Sequence, residues 1–188
     1  MKTQKIFSRV LDVLILFVFI LYFASAGFQD RNTSGWYQQW FPNLNGSTIQ
    51  DITFLDSLTG FAVTNPGTSI YCYILKTTNG GDNWVINYTH NSGTNIRFTR
   101  IQFADNNTGY VSNNFYNFFK TTDKGQTWFD YFNVPFGAED MSVINKDSIL
   151  VVTSRGLGGG VYRSTNGGIS WQYIWNNSPN GNPDKIYM

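Results

Sequence analysis

Apolar positions along this chain fall in short alternating runs, and no long helical periodicity accompanies them. Ile52-Thr53-Phe54-Leu55, Gly60-Phe61-Ala62-Val63, Tyr71 to Lys76 and Trp84 to Tyr88 are separated by clusters of Gly, Asn, Asp and Ser. That pattern predicts four strands joined by turns, because Gly accepts positive φ and Asx or Ser/Thr side chains bond turn backbone. The order then repeats: Ile101-Gln102-Phe103, Gly109 to Ser112, Phe115 to Lys120, Trp128 to Phe132. A worn third copy runs through Met141 to Asn145, Ser148 to Val151, Gly160 to Arg163 and Trp171 to Ile174.

The third and fourth strands of each unit flank one phrase: Thr77-Thr78-Asn79-Gly80-Gly81-Asp82-Asn83-Trp84, Thr121-Thr122-Asp123-Lys124-Gly125-Gln126-Thr127-Trp128 and Ser164-Thr165-Asn166-Gly167-Gly168-Ile169-Ser170-Trp171. The tryptophans are 44 and then 43 residues apart. A period in the 40s with a turn and an aromatic in each copy argues for stacked four-stranded units. The expected fold is therefore all-β: a partial β-propeller of three four-stranded antiparallel blades in an open fan, spanning 46–90, 91–133 and 134–177. Trp40 lies 44 residues before Trp84, so Gly35 to Phe41, within a 27–45 lead-in, reads as a lone clasp strand. Residues 178–188 hold Asp184 to Met188 where a further blade would begin, which suggests a longer protein; self-association of the open fan is the alternative. Exposed blade faces and strand edges would make the chain poorly soluble alone.

Residues 1–26 read as a secretory signal: Lys2, Lys5 and Arg9, an apolar run from Val13 to Phe23, then Ala24-Ser25-Ala26. The expected destination is exported, whether periplasmic, cell-surface or extracellular, and no other stretch could span a membrane after cleavage. Charged residues are 13% of the chain and nearly balanced, which gives no nucleic-acid footprint. Cys72 is the single cysteine, so no internal disulfide forms, and its apolar neighbours place it in a core.

The phrase Ser/Thr-x-Asp/Asn-x-Gly-x-x-Trp resembles the Asp-box, or bacterial neuraminidase repeat. The longer pattern from Ile52 through Gly60 to Trp84 is similar to the propeller of photosystem II stability and assembly factors and their relatives in exported bacterial proteins. The resemblance covers roughly residues 35 to 188. It implies a propeller architecture, while its members include sialidases, other glycosidases, sorting receptors and assembly factors.

Thr77, Asn79, Gly81 and Trp84, Thr121, Asp123, Gly125 and Trp128, and Ser164, Asn166, Gly168 and Trp171 read as structural fasteners. Asn79 and Asn166 stand where Asp123 does, and an amide cannot serve as a general base. The tryptophans read as packing residues. Arg155-Gly156-Leu157-Gly158-Gly159-Gly160-Val161 lacks the third fingerprint glycine and any following Gly-Lys-Ser/Thr, and reads as a loop between second and third strands. His90 is the single histidine, so a zinc site or a Ser/His/Asp triad has no support, and it reads as a solvated loop residue. No metal or cofactor is implied. Asp56 and Asp105 recur at equivalent turns.

In an up-and-down blade, entry to the first strand and the link between strands two and three share one end. Asp51, Arg97, Arg100, Glu139, Asp140 and Arg155 therefore form the candidate binding face, opposite the repeated turns. Glu139 and Asp140 are neighbours expected to point oppositely, a poor geometry for a glycosidase pair. The reading that follows is an exported, non-catalytic binding or assembly module for a protein or glycan. Alternatives are a cell-surface structural repeat protein and the N-terminal part of an Asp-box glycosidase, sialidase-like or xyloglucanase-like.

Overall fold

The computed structural model describes residues 38–91, 93, 96–132, 137–153 and 159–176. The expected signal, the start of the clasp, the Arg155 loop and the Asp184 to Met188 segment lie outside the described residues. The chain divides into Met1–Gln38, of which only Gln38 is described, and Gln39–Met188, whose described residues form the blades.

Blade 1 comprises β1 (Thr48–Phe54), β2 (Gly60–Asn65), β3 (Tyr71–Thr77) and β4 (Val85–Asn91). Blade 2 comprises β5 (Phe98–Phe103), β6 (Gly109–Asn113), β7 (Asn117–Thr121) and β8 (Phe129–Phe132), and blade 3 β9 (Ala138–Val143), β10 (Ile149–Thr153), β11 (Gly160–Ser164) and β12 (Gln172–Asn176). Each is one antiparallel sheet in up-and-down order, and no helix occurs among the described residues. Strand β5 packs on β1 and β2, and β9 on β5 and β6, so first strands lie beside first strands. The fold is thus all-β and propeller-like, an open fan of three blades.

The second strands of blades 1 and 2 are buried on both faces, Gly60 to Thr64 between blade 2 and the lead-in and Gly109 to Asn113 between blades 1 and 3. Phe61, Val63, Cys72 and Ile74 of blade 1 meet Phe98, Ile101, Val111, Phe119 and Trp128 of blade 2. Tyr110 and Phe118 of blade 2 meet Ala138, Met141, Ile149, Val151 and Tyr162 of blade 3. Cys72 is fully buried in the first seam, its Sγ directed at the Ile96 carbonyl at 3.3 Å.

Steric matching between first and second strands explains the recurring glycine. Gly60 pairs with Phe54 and Gly109 with Phe103, and a Cβ on either glycine would lie within 2.8 Å of the paired ring. Blade 3 replaces the couple by Ile149 opposite Val143, moving volume from one strand to its neighbour.

The outer face of blade 1 has a third cluster of Ala62, Tyr73, Leu75 and Trp84, covered by Phe41 and Leu44. Phe41 stacks on Trp84 at 5.5 Å between centroids. Trp40 makes one parallel bridge to Asn83, and its carbonyl accepts from Trp84 N at 3.3 Å. The lead-in from Gln39 thus occupies part of the space that a preceding blade takes in the other seams.

Candidate functional site

The three repeated turns have one geometry. In blade 2 the Thr121 hydroxyl accepts from Gly125 N at 2.9 Å and donates to Asp123 Oδ1 at 2.8 Å, which also accepts from Thr127 N at 2.9 Å. Thr77 with Asn79 and Ser164 with Asn166 reproduce those bonds onto Gly81 and Asn83, and onto Gly168 and Ser170. What the turn requires at its third position is an acceptor oxygen, which Asn and Asp both supply. Trp128 Nε1 donates to Asn87 of blade 1 at 3.0 Å, so its ring fastens one blade to the last.

Asp123 carries a consequence that its amide counterparts lack. Hydrogen bonds from Thr127, side chain first and then backbone, hold its carboxyl down at about 2. A depressed carboxylate contributes stability that is present above its unfolded value near 3.8 and is lost as pH falls through the folded value. Asp123→Asn is expected to fold with stability within roughly 0.5 kcal/mol of the parent at neutral pH. In blade 3, Asn166 Nδ2 already donates to Ser170 Oγ at 2.8 Å, the bond the variant would make to Thr127. Urea midpoints should fall less steeply between pH 4 and 2 in the variant than in the parent, where the Asp123 bonds titrate; identical slopes would refute the assignment.

The opposite end is built differently in each blade. Gly80 N, Lys124 N and Gly167 N bond the Leu58, Asn107 and Asp147 carbonyls, which puts the repeated turns beside the hairpins between first and second strands. Those hairpins are set by Asp56, Asp105 and Asn145, each accepting two backbone N–H groups. These bonds hold the carboxyls of Asp56 and Asp105 below the usual range. At the entry end, Arg97 N donates to Asn114 Oδ1 at 2.7 Å and Asn114 N to the Arg97 carbonyl at 3.1 Å. The start of β5 is thereby tied to the β6–β7 loop.

A bulge recurs there. Gln50, Thr99 and Glu139 are each skipped by the register of the first strand against the second, and the next residue in each is Asp51, Arg100 or Asp140, opposite Val63, Ser112 or Val152. The structure therefore places three of the candidate residues at one equivalent position, with charges alternating negative, positive, negative. Each acts across a seam or beside one. Asp51 Oδ2 accepts from Ile101 N at 2.9 Å, and Arg100 Nε donates to Asp140 Oδ1 at 2.6 Å. Asp140 Oδ1 also accepts from Met141 N at 3.0 Å. Arg97 pairs with Glu139 at 3.1 Å. Arg155 lies outside the described residues.

Two sequence expectations change here. Glu139 and Asp140 do not diverge as in a regular strand: the bulge breaks the alternation, and both carboxylates reach arginines of blade 2. His90 is not a solvated loop residue but a half-buried member of β4, edge-on to Phe119 at 5.0 Å and near Phe98. Burial holds its pKa down, and the charge of Asp130 works in the opposite direction. A polar residue in a strand gave no period to read.

Sequence reasoning also passed over the neutral members of the seam. Thr99 Oγ1 donates to the Ala138 carbonyl at 2.7 Å and Gln102 Oε1 accepts from Val143 N at 2.9 Å. These two side chains satisfy first-strand backbone groups of blade 3 that would otherwise belong to an unpaired sheet edge. Within blade 2, Asn117 Nδ2 donates to both Asp130 oxygens, joining β7 to β8. On the same end, Phe115 and Tyr116 are exposed and meet edge to face at 4.6 Å. Among the described residues, no three His, Cys, Asp or Glu side chains gather as metal ligands, and no helix is long and apolar enough to cross a membrane.

Solved propellers share this architecture. "YCF48 bound to D1 peptide" superposes with a TM-score of 0.56 at 24% identity, over 68% of this chain and 40% of that one. YCF48 from Cyanidioschyzon merolae gives 0.54 at 24% identity, over 68% and 37%. AFV00434, an ancestral GH74 enzyme, gives 0.51 at 16% identity, over 70% and 19%. The chain thus spans about two fifths of the length of the two YCF48 structures, and no curated protein sequence matches it. A family model covers residues 29–181, most of the chain, and the chain belongs to the family described as photosynthesis system II assembly factor YCF48.

Proposed function

We propose that this chain is an exported, non-catalytic binding module of assembly-factor type, which holds an extended protein segment across the entry end of its blades. The observation that carries the reading is membership in a family with a solved member bound to a peptide. The entry end supplies suitable chemistry: partly exposed guanidinium groups at Arg97 and Arg100, an acceptor at Glu139, and exposed Phe115 and Tyr116 on the same end. Backbone amides and carbonyls of an extended segment need both kinds of partner, and its side chains need an apolar rest. Export rests on the basic, apolar and small-residue pattern of residues 1–26.

Glu139 and Asp140 serve the seam with blade 2, which argues against a glycosidase acid and nucleophile here. The GH74 likeness, at 16% identity, is one of fold. A labelled D1 peptide should raise fluorescence anisotropy on titration with the chain. Arg97→Gln should weaken that binding about tenfold, the loss of one charge-assisted hydrogen bond. Saturable binding that Arg97→Gln leaves unchanged, or no binding at all, would count against the entry end as the site.

A further inference from the structure

Asparagine followed by glycine is chemically labile, because a residue without Cβ lets its backbone nitrogen approach the preceding side-chain carbonyl carbon. The chain has four such pairs: Asn45-Gly46, Asn79-Gly80, Asn166-Gly167 and Asn180-Gly181, the last outside the described residues. In two of the others the attacking nitrogen is engaged. Gly80 N donates to the Leu58 carbonyl at 2.8 Å and Gly167 N to the Asp147 carbonyl at 2.9 Å. Their amides are fixed as well. Asn79 Oδ1 accepts from Thr77 Oγ1 at 2.9 Å and Asn83 N at 3.0 Å, and Asn166 Oδ1 from Ser164 Oγ at 3.0 Å and Ser170 N at 2.9 Å. Neither side chain can turn its Cγ onto the next nitrogen without breaking the repeated turn.

Asn45-Gly46 lacks this protection. Ser47 N donates to the Leu44 carbonyl at 2.9 Å, so Asn45 and Gly46 are the central residues of a β-turn, at φ 52° and 82°. Such a turn bonds its fourth N–H and leaves the third, here Gly46 N, without an acceptor among the described residues. Both central residues are exposed, so water reaches them. Asn45 is nonetheless a tether: its Nδ2 donates to the Tyr73 hydroxyl at 2.9 Å, and Tyr73 belongs to the cluster that Phe41 and Leu44 cover.

We propose that Asn45 is a site of spontaneous deamidation, and that the modification loosens the lead-in from blade 1. Gly46 N, on losing its proton to base, attacks Asn45 Cγ; the Cγ–Nδ2 bond breaks and ammonia leaves, closing a five-membered succinimide. Water then opens the ring at either carbonyl to give aspartate or isoaspartate, so each event consumes one water and releases one ammonia. Both products lose the donor that ties the turn to Tyr73. Isoaspartate also routes the backbone through Cβ and Cγ, which lengthens a turn with no slack: its Gly46 carbonyl lies 2.6 Å from where a Cβ on Gly67 would stand.

The full-length chain, incubated at mildly alkaline pH, digested and sequenced by mass spectrometry, should gain acid at position 45 at least about tenfold faster than at Asn79 or Asn166, whose reaction waits on local opening. In denaturing urea the three rates should converge. An isoaspartyl methyltransferase with a labelled methyl donor should mark the peptide that holds position 45. Asn45→Gln, which removes the five-membered route, should abolish that mark and leave the circular dichroism unchanged. Trp84 N–H donates to the Trp40 carbonyl of the lead-in, so its hydrogen exchange should quicken in the aged parent and stay constant in aged Asn45→Gln. An amide that persists at Asn45, or equal rates at the three positions in the folded chain, overturns the site. Unchanged Trp84 exchange in fully deamidated chain overturns the loosening.

Discussion

Gly125→Ala is expected to cost about 3 kcal/mol of folding stability, the sum of a left-handed backbone penalty near 1–2 kcal/mol and an overpacking term near 1–3 kcal/mol. The backbone term arises because Gly125 sits at φ 69°, where the repeated turn doubles back so that its N–H can reach Thr121 Oγ1. The packing term arises because an added Cβ would lie 2.5 Å from Phe61 Cε1. That ring is fully buried and flanked by Phe103 and Trp128, so it has nowhere to retreat. Gly93→Ala isolates the first term: its φ is 62°, and nothing lies within 4 Å of the new carbon. Equilibrium urea unfolding of the two variants should therefore separate them by more than about 1 kcal/mol. Equal losses would mean that the Phe61 contact yields freely and that the turn glycine is present for backbone reasons alone.

That close approach also shows what a linear sequence reveals and what it hides. The strands were legible because each has local alternation bounded by residues with turn chemistry, and the blades because the pattern recurs at a near-constant period. Gly81, Gly125 and Gly168 could be read as turn glycines, since positive φ is a local requirement. Their second role was hidden, because the ring against Gly125 comes from a strand of the preceding blade, 64 positions earlier at Phe61.

The entry end was legible in location and illegible in detail for the same reason. Topology alone assigns Arg97, Arg100, Glu139 and Asp140 to one end of the blades. The bulges at Gln50, Thr99 and Glu139 leave no common residue type to mark them, and they reverse the alternation on which side-chain direction is judged. Pairings such as Arg100 with Asp140 or Gln102 with Val143 N connect positions about one repeat apart, where no local pattern operates. His90 misled because a strand position covered by the next blade, through Phe98 and Phe119, has no signal in its own neighbours.

Phe61→Ala should be the most damaging single truncation in the first seam, at about 3–5 kcal/mol. The side chain is fully buried, touches Phe103 at 4.8 Å and Trp128 at 6.3 Å between centroids, and lies beneath Lys76 Nζ at 5.2 Å. Removing it opens a cavity that rigid strands on both sides cannot close, and it strips the ring from the cation that clasps the blade 2 turn. Leu150→Ala tests the same register position where its neighbours leave it half-buried, and should cost roughly 1–2 kcal/mol, since a half-buried side chain takes less apolar area out of water on folding. Hydrogen exchange distinguishes a local from a global loss. If the seam is the cooperative link, Phe61→Ala lowers protection of Ile101 and Val111 amides in blade 2 together with those of Val63 and Ile74 in blade 1. Protection lost in blade 1 alone would show that the blades unfold independently, and that the aromatic seam joins units already stable by themselves. Joint loss would make the interface between sheets, rather than the hydrogen-bonded sheet, the unit of stability, as expected where the second strands β2 and β6 are buried on both faces.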